Sequence, residues 1–582
     1  MKLKFKLAAG VVSTLMFVGT AAAAAAVSYT PGTYEGEAIG RNGPVKVQVT
    51  VAKDRIESIR VVSHNESAGL SDAPINTLPK TIVDKQSLAV DVFSGATFSS
   101  KAVIGAVENA LKKATKDIKP LLIAPAVTAA VKPPKDETVD VLVVGSGISG
   151  MVAGITAAEK GSNVLIIEKQ GMLGAGDSMN ISTGITAGGS RLIKQLGIEN
   201  ATAKDYADFL VKQAATKKVP INEKNVRTYA MRGGELVDWL MDLGVPFGRF
   251  QKDKWFHITK DGSAPGPHIV RALSKKIADD NINYRLNSQV VDLLMKDGKV
   301  VGATVKTGAG SYKVSAKAVV MATGGFSASH ELVKKWAPEW VGRPTTGAVS
   351  LTGDGILMAQ KVGAQTVAMQ EIKANYLCHP LTARDGVSLT AITPYNILIN
   401  HEGKRFVNEG HASINFKSRA MMKQTGHEAY AIVDQTAMDN LKLMRNYAAA
   451  GYFVKANTVE ELASKLKVDQ KAFIKTMKDY MAACQAGKDP EFNRRIQYPI
   501  AKAPFYAALV TPSMQSTYGG IKTDEKAQAL NADNKPIAGL YAAGATSGHE
   551  AYANEVGFAA IIGLVYGKIA GENAAAYAKA QK

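Results

Sequence analysis

Apolar and polar residues first alternate in "PVKVQVTV", where Val45, Val47, Val49 and Val51 are separated by Lys46, Gln48 and Thr50. A period of two predicts a strand with one buried face. After a turn at Lys53-Asp54, Ile56, Ile59 and Val61 predict a second strand. In "SSKAVIGAVENAL" the period changes: Val103, Ala106, Val107, Ala110 and Leu111 recur at helical spacing. Ser99 and Ser100 suit a helix start, because their hydroxyls accept from unpaired first-turn N–H groups. "KDIKPLLIAPAVTAAVKPPKDE" is rich in Pro, Ala and Lys and reads as a linker. At "VDVLVVG" an unbroken apolar run predicts a fully buried strand. Strand-to-glycine turns then recur, stop near Glu371, and resume at "STYGGIKTD". The expected organisation is a leader over 1–26, a small α+β domain over 27–115 and a linker over 116–137. An α/β domain then covers 138–370 and 517–582, interrupted by an inserted α+β domain over 371–516.

The leader is a secretory signal in form. Lys2, Lys4 and Lys6 precede an apolar run from Leu7 to Gly19, and alanines to Ala26 offer a cleavage site. The run is too short to span a bilayer stably, so the expected location is the bacterial periplasm. The 70 basic and 51 acidic residues give a net charge of +19, but the lysines are scattered, without the basic-aromatic stripe of a nucleic-acid binder. No nucleic-acid partner is expected. Only Cys378 and Cys484 are present. That leaves no Cys-x-x-Cys-His for covalent haem, no iron–sulfur ligand set and no metal site. Whether the two cysteines pair, and whether Cys378 and His379 form a thiolate–imidazole couple, stay open.

"VDVLVVGSGISGMVAGITAAEKGSNVLIIEK" places Gly145, Gly147 and Gly150 between a strand and a helix, and a second strand ends in Glu168. Glycines let the backbone approach a pyrophosphate, the helix N-terminus stabilises it, and the acid binds a ribose. The domain is therefore expected to be Rossmann-like. Further glycine strings, "GMLGAGDSMNISTGITAGG", "AVVMATGGFSAS", "TGDGILMAQKVGA" and "GLYAAGATSGHEAYANEVGFAAIIG", suit a long ligand such as FAD.

With "VVGSGISG", "ATGGF", "TGDG", "GKRFVNE" and "GLYAAG" in this order, the chain from about 138 to 580 resembles the flavoproteins of the fumarate reductase, urocanate reductase and succinate dehydrogenase family. The resemblance implies an FAD domain interrupted by a capping domain, with substrate between them. It also implies FAD contacts at Gly145, Gly147, Ser149, Gly150, Glu168, Lys169, Gly176, Asp177, Ser178, Thr183, Gly184, Val290, Thr323, Gly324, Asp354, Tyr518, Gly544, Ala559 and Ile561. Residues 28–115 resemble the covalent FMN-binding domain, whose Asp-x-x-Ser/Thr-Gly-Ala-Thr is met by Asp91, Ser94, Gly95, Ala96 and Thr97. That resemblance implies FMN attached through its phosphate to Thr97, with a flavin transferase needed for maturation. The combined layout is similar to urocanate reductase. It implies electrons arriving from a membrane-anchored quinol-oxidising cytochrome or similar donor, passing through FMN and FAD, and reducing an activated C=C bond of a small acceptor.

The chain departs from this family where substrate should bind. The family's proton-donating arginine falls on Ser413, and its relay partners fall near Leu389 and Ile392. The family's His-Thr-x-Gly-Gly reads Ser516, Thr517, Tyr518, Gly519, Gly520, and its Ala-Asn-Arg-x-Gly reads Ala553, Asn554, Glu555, Val556, Gly557. An ionised Glu555 in an arginine's place would repel a carboxylate by roughly 4 kcal/mol at about 4 Å and a near-surface dielectric. Fumarate is therefore not the expected acceptor, and urocanate is disfavoured. Candidate replacements for the lost chemistry are Tyr518 as proton donor, Tyr376 as a substrate contact, Glu555 as a pole for a donor group, and Arg384 as a displaced arginine. Three alternatives stay open: a urocanate- or fumarate-type reductase using Arg384, a ketosteroid-type dehydrogenase, and a non-catalytic flavin electron carrier.

Overall fold

The computed structural model describes residues 27–41, 43–66, 71–90, 92–93, 96–123, 134–217, 221–380, 389–411, 413–548 and 559–581. The predicted leader, the motif positions Asp91, Ser94 and Gly95, and the candidates Arg384 and Glu555 lie outside them. Among the described residues no helix is long and apolar enough to cross a membrane.

The alternating valines form the middle strand of a three-stranded antiparallel sheet, Gly32–Ile39, Pro44–Val51 and Ile56–Ser63. Val45, Val47, Val49 and Val51 are all buried on one face. That face is covered by the helix Thr97–Ala114, whose Val103, Ala106, Val107, Ala110 and Leu111 have no exposed area. The helix lies so close that a Cβ on Gly36 would run into the Ala106 carbonyl. This close approach is why the strand carries a glycine.

The "VDVLVVG" strand, Glu137–Val144, sits inside an eight-stranded sheet. It pairs in parallel with Val164–Ile167 on one side and with the second half of Gly310–Met321 on the other. The helix Ile148–Glu159 covers one face and is itself covered by Ala559–Ala580. Gly563, Gly567 and Gly571 recur every fourth residue on the second helix. A Cβ on Gly567 would meet the Ser149 carbonyl, and one on Gly571 the Ala153 carbonyl. Side chains four apart share a helix face, so the three glycines let the two backbones touch.

A separate five-stranded sheet is built from Ile372–Cys378, Ile397–Ile399, Ala429–Asp434, Val454–Ala456 and Phe505–Thr517. The last strand, of 13 residues, is its spine and pairs with three of the others. Tyr518 and Gly519 leave this spine, and Gly520–Ile521 then pairs with Thr366–Val367 beside the nucleotide sheet. The STYGG turn is thus where the capping sheet joins the α/β domain.

Candidate active site

The glycine turn after the first nucleotide strand is sterically closed to other residues. Gly145 has φ 99°, and a Cβ there would strike the Ala322 carbonyl. A Cβ on Gly150 would strike the Gly145 carbonyl. Gly147 caps the helix without a side chain, and Ser178 Oγ accepts from the Ile148 N–H at 2.9 Å. Glu168 is 5% exposed and braces the turn. Its Oε2 accepts from Ser146 N at 2.9 Å and Ser146 Oγ at 2.7 Å, and its Oε1 accepts from Gln170 N at 2.8 Å. A carboxylate has about four acceptor positions, so one remains for a ribose hydroxyl. Beyond it Lys169 Nζ donates to Thr352 Oγ1 at 2.7 Å and Asp354 Oδ2 at 2.9 Å.

Three further glycine strings converge near this turn. Gly544 packs on the Ser149 hydroxyl. Thr546 Oγ1 accepts from Gly324 N at 2.7 Å and lies 3.3 Å from Thr323 Oγ1. Thr517 Oγ1 lies where a Cβ on Gly325 would be, and a Cβ on Gly520 would strike the Thr546 carbonyl. The STYGG turn is therefore clamped against the turns that carry Thr323 and Gly544. Tyr518 is 8% exposed, and its N–H donates to the Glu371 carbonyl at 2.9 Å. These residues fit FAD: small residues line the approach, Glu168 keeps an acceptor position, and the buried Thr517 hydroxyl has no partner among the described residues.

The remaining candidates are spread around this centre. Asp177 accepts from Ala348 N at 2.8 Å; burial pushes its carboxyl up to about 6, against that hydrogen bond and the charge of Lys373. Gly176 precedes it in extended backbone. Thr183 is exposed, whereas Gly184 packs against the His257 carbonyl. Val290 and Ile561 are buried core side chains, and Ala559 opens the described part of the last helix. Thr97 is the first residue of its helix, and Ala96 provides no side-chain cap. Uncapped first-turn N–H groups favour a phosphate.

In the capping sheet several candidates serve the core. Tyr376 has no exposed area, donates to Thr393 Oγ1 at 3.2 Å, and has its phenol pushed up to about 12 by burial. Its ring packs in the core of the capping domain. Leu389 and Ile392 are fully buried in the same cluster. Ser413 caps the helix Ile414–Met422, its Oγ accepting from Phe416 N at 3.0 Å. Cys378 and Cys484 are unpaired. Burial pushes the Cys378 thiol up to about 12 and the His379 imidazole down, and both shifts disfavour a thiolate–imidazolium couple.

Pattern reading missed a buried charge cluster. Glu409 Oε1 accepts from Leu398 N at 3.0 Å, and its Oε2 accepts from Arg405 Nη2 at 2.8 Å and Arg494 Nη1 at 3.0 Å. Arg405 also grips Asp489 through Nη1 at 3.1 Å and Nη2 at 2.8 Å. The signal for half of it was the Arg405…Glu409 pair in "GKRFVNE"; Asp489 and Arg494 lie some eighty residues away. Lys417 completes the group. It is 3% exposed, donates to the Glu409 carbonyl at 3.2 Å, and sits 4.5 Å from the Tyr376 ring centre.

Burial and the like charge of Arg494 bring the Lys417 ammonium down from 10.5 to about 8. Between those values the unfolded chain binds the proton more readily, so the parent protein gains stability as pH rises through this window. Below it the cost is fully present, roughly 3 kcal/mol. Lys417→Met removes the titration. Relative to the parent, its unfolding temperature should be higher at about pH 6.5 than at about pH 10. A difference independent of pH would show that the amine is fully charged at both.

Two family comparisons agree with this geometry. Residues 140–557 match the FAD binding domain family, and residues 40–112 match the FMN-binding domain family. The chain is 32% identical to the urocanate reductase of Eggerthella lenta, covering 94% of this chain and 92% of that one. It is 30% identical to the NADH:acrylate oxidoreductase of Vibrio harveyi over 94% of this chain, but spans only 61% of that protein's length. A solved structure described as the open conformation of a flavocytochrome c3 fumarate reductase superposes with a TM-score of 0.69 at 30% identity, covering 79% of this chain and 84% of that one.

Proposed function

Because the chain belongs to the FAD binding domain family and carries an FMN-binding domain ahead of it, we propose that it is an exported flavin reductase acting on an activated C=C bond of an acceptor other than fumarate. Similarity to urocanate and acrylate reductases supports the reaction class. The signal-like leader supports export to the periplasm. The FMN-binding domain supports a membrane-anchored, quinol-oxidising cytochrome or similar donor, and a flavin transferase for maturation. When bound, FAD supplies the hydride. Gly145, Gly147, Gly150, Glu168, Thr323, Gly324 and Gly544 would hold it.

The protein's own task is to deliver a proton to the carbon next to the activating group while excluding water. The observation that carries this reading is the clamped STYGG turn, which sets Tyr518 beside the nucleotide turns. The positions where relatives hold a proton path are occupied otherwise: Ser413 is committed to a helix cap, and Leu389 and Ile392 are apolar and buried. With Glu555 standing where an arginine is expected, a dicarboxylate lacks its second anchor.

The test is optical. Protein carrying both flavins is reduced anaerobically and mixed with unsaturated acids, amides and enones. Rapid reoxidation by at least one compound, and none by fumarate at about millimolar concentration, near the upper end of ordinary KM values, is the expected result. Reoxidation by none of them would remove the reductase reading, and rapid reoxidation by fumarate would remove its substrate limit.

A further inference from the structure

Lys373 lies on the strand Ile372–Cys378, directly opposite Ser516 on the spine of the capping sheet. Directly opposed residues of an antiparallel pair project to the same face, with Cβ atoms about 5 Å apart. The neighbouring pair, Ile372 and Thr517, faces the other way: Ile372 joins the apolar cluster around Phe326, and Thr517 rests on Gly325. Next to Lys373 the register slips, so that Ala374 opposes Met514 and Gln515 is left over and exposed. Such bulges bend a strand and re-aim its side chains beside active sites.

The face shared by Lys373 and Ser516 is polar. Asn375 lies two residues on, and its Oδ1 accepts from Thr390 Oγ1 at 3.3 Å. Asp177 reaches this region from the α/β domain and feels the charge of Lys373. Yet among the described residues no carboxylate lies within ion-pair distance of the Lys373 ammonium, which is half-buried. By contrast, the buried charges of Arg405, Glu409, Asp489 and Arg494 are ion-paired with one another, and Lys417 packs on the same cluster. Ser516 stands where the family resemblance puts a substrate-gripping histidine, one residue before the clamped Thr517 and two before Tyr518.

We infer that Lys373 and Ser516 together anchor a single carboxylate of the acceptor, which makes the acceptor an α,β-unsaturated monocarboxylate. The inference rests on the reductase reading above and names its substrate class. Lys373 supplies, from another part of the chain, the charge lost with the family arginine. One carboxylate oxygen accepts from the ammonium and the other from the serine hydroxyl. The C=C bond then extends toward Tyr518 and the nucleotide turns. One such pair serves one carboxylate, which agrees with exclusion of a dicarboxylate.

The probes are acrylate, crotonate, cinnamate and urocanate, each beside its uncharged amide. Binding is read from perturbation of the flavin absorbance of the oxidised holoprotein, so turnover is not required. At least one acid should bind the parent. Lys373→Met should weaken that acid roughly tenfold to a hundredfold, as expected for a charged hydrogen bond, while its amide binds parent and variant alike. Lys373→Arg should retain most of the affinity. Flavin content and unfolding temperature of both variants establish that they fold; if the Met variant does not, Lys373→Gln replaces it in the same comparison. Equal acid affinity in parent and variant, or amides binding as well as acids, overturns the anchor and returns the role to another cation, Arg384 first. That failure is distinct from failure of the reductase reading: reduced protein oxidised equally by amides or enones keeps the reaction class and loses only the anchor.

Discussion

Thr97→Ala should abolish covalent flavin. Protein matured with a flavin transferase and then denatured should keep one fluorescent flavin through gel electrophoresis, and the variant should keep none. The two serines that follow Thr97 are committed elsewhere. Ser99 Oγ donates to the buried Glu66 carboxylate. Ser100 Oγ donates to the Ala96 carbonyl at 3.0 Å and accepts from Phe93 N at 3.0 Å. Thr97 is the first helical residue, where a phosphate meets N–H groups that Ala96 does not cap and gains about 0.3–1 kcal/mol from the helix dipole. The segment around it is also held in place. Ala96 packs in the core cluster of the α/β domain, Phe98 against that of the capping domain, and Asp72 pairs with Arg271. A flavin tethered here would sit at the junction of all three domains. Flavin retained by the variant would place the link at another hydroxyl and remove the reason for this arrangement.

Tyr518→Phe should slow reoxidation of the reduced protein by its acceptor by two to four orders of magnitude, the usual range for loss of a positioned general acid. FAD content should not change, because the ring does not form the glycine turns that hold the nucleotide. The main-chain bond to Glu371 and the contacts of Thr517 and Gly520 should survive, because they do not involve the phenol. Rapid-mixing measurements in water and deuterium oxide separate the roles. The parent should show a solvent isotope effect on reoxidation, and residual turnover of the variant should depend on added small acids. An unchanged rate would exclude Tyr518 as the donor. Lys417, buried one helical turn beyond Ser413, would then be the nearest ionisable alternative on that helix.

Much of the fold was written locally. Alternating valines specify one face of a strand whatever follows, and Val45 to Val51 are buried as their period demands. The helical spacing from Val103 to Leu111 did the same. Gly145 and Gly150 were legible because only glycine tolerates carbonyls that close, and the constraint arises between residues a few positions apart or at the next strand. Glu168 was legible from its distance to that turn, and the structure places it against Ser146.

The chemistry of the capping domain was not legible in this way. Tyr376 reads as a polar aromatic near a family contact; only packing shows its hydroxyl spent on Thr393. Ser413 reads as a lost arginine, and only the helix that follows makes it a cap. Glu409, Asp489 and Arg494 are widely spaced in sequence, and burial alone forces them together, since each charge without the others would carry an uncompensated desolvation cost. Lys373 and Ser516 are 143 residues apart and carry no local signature. Their meeting depends on the register of two strands and on the bulge at Gln515, because a one-residue slip would send one of them to the opposite face. Where strands, helices and nucleotide turns form follows from period and from glycine sterics between near neighbours, and is carried by the local sequence. Which polar side chains share a surface is settled by the folded chain, since that follows from pairing across distant strands and from the cost of burying charge alone.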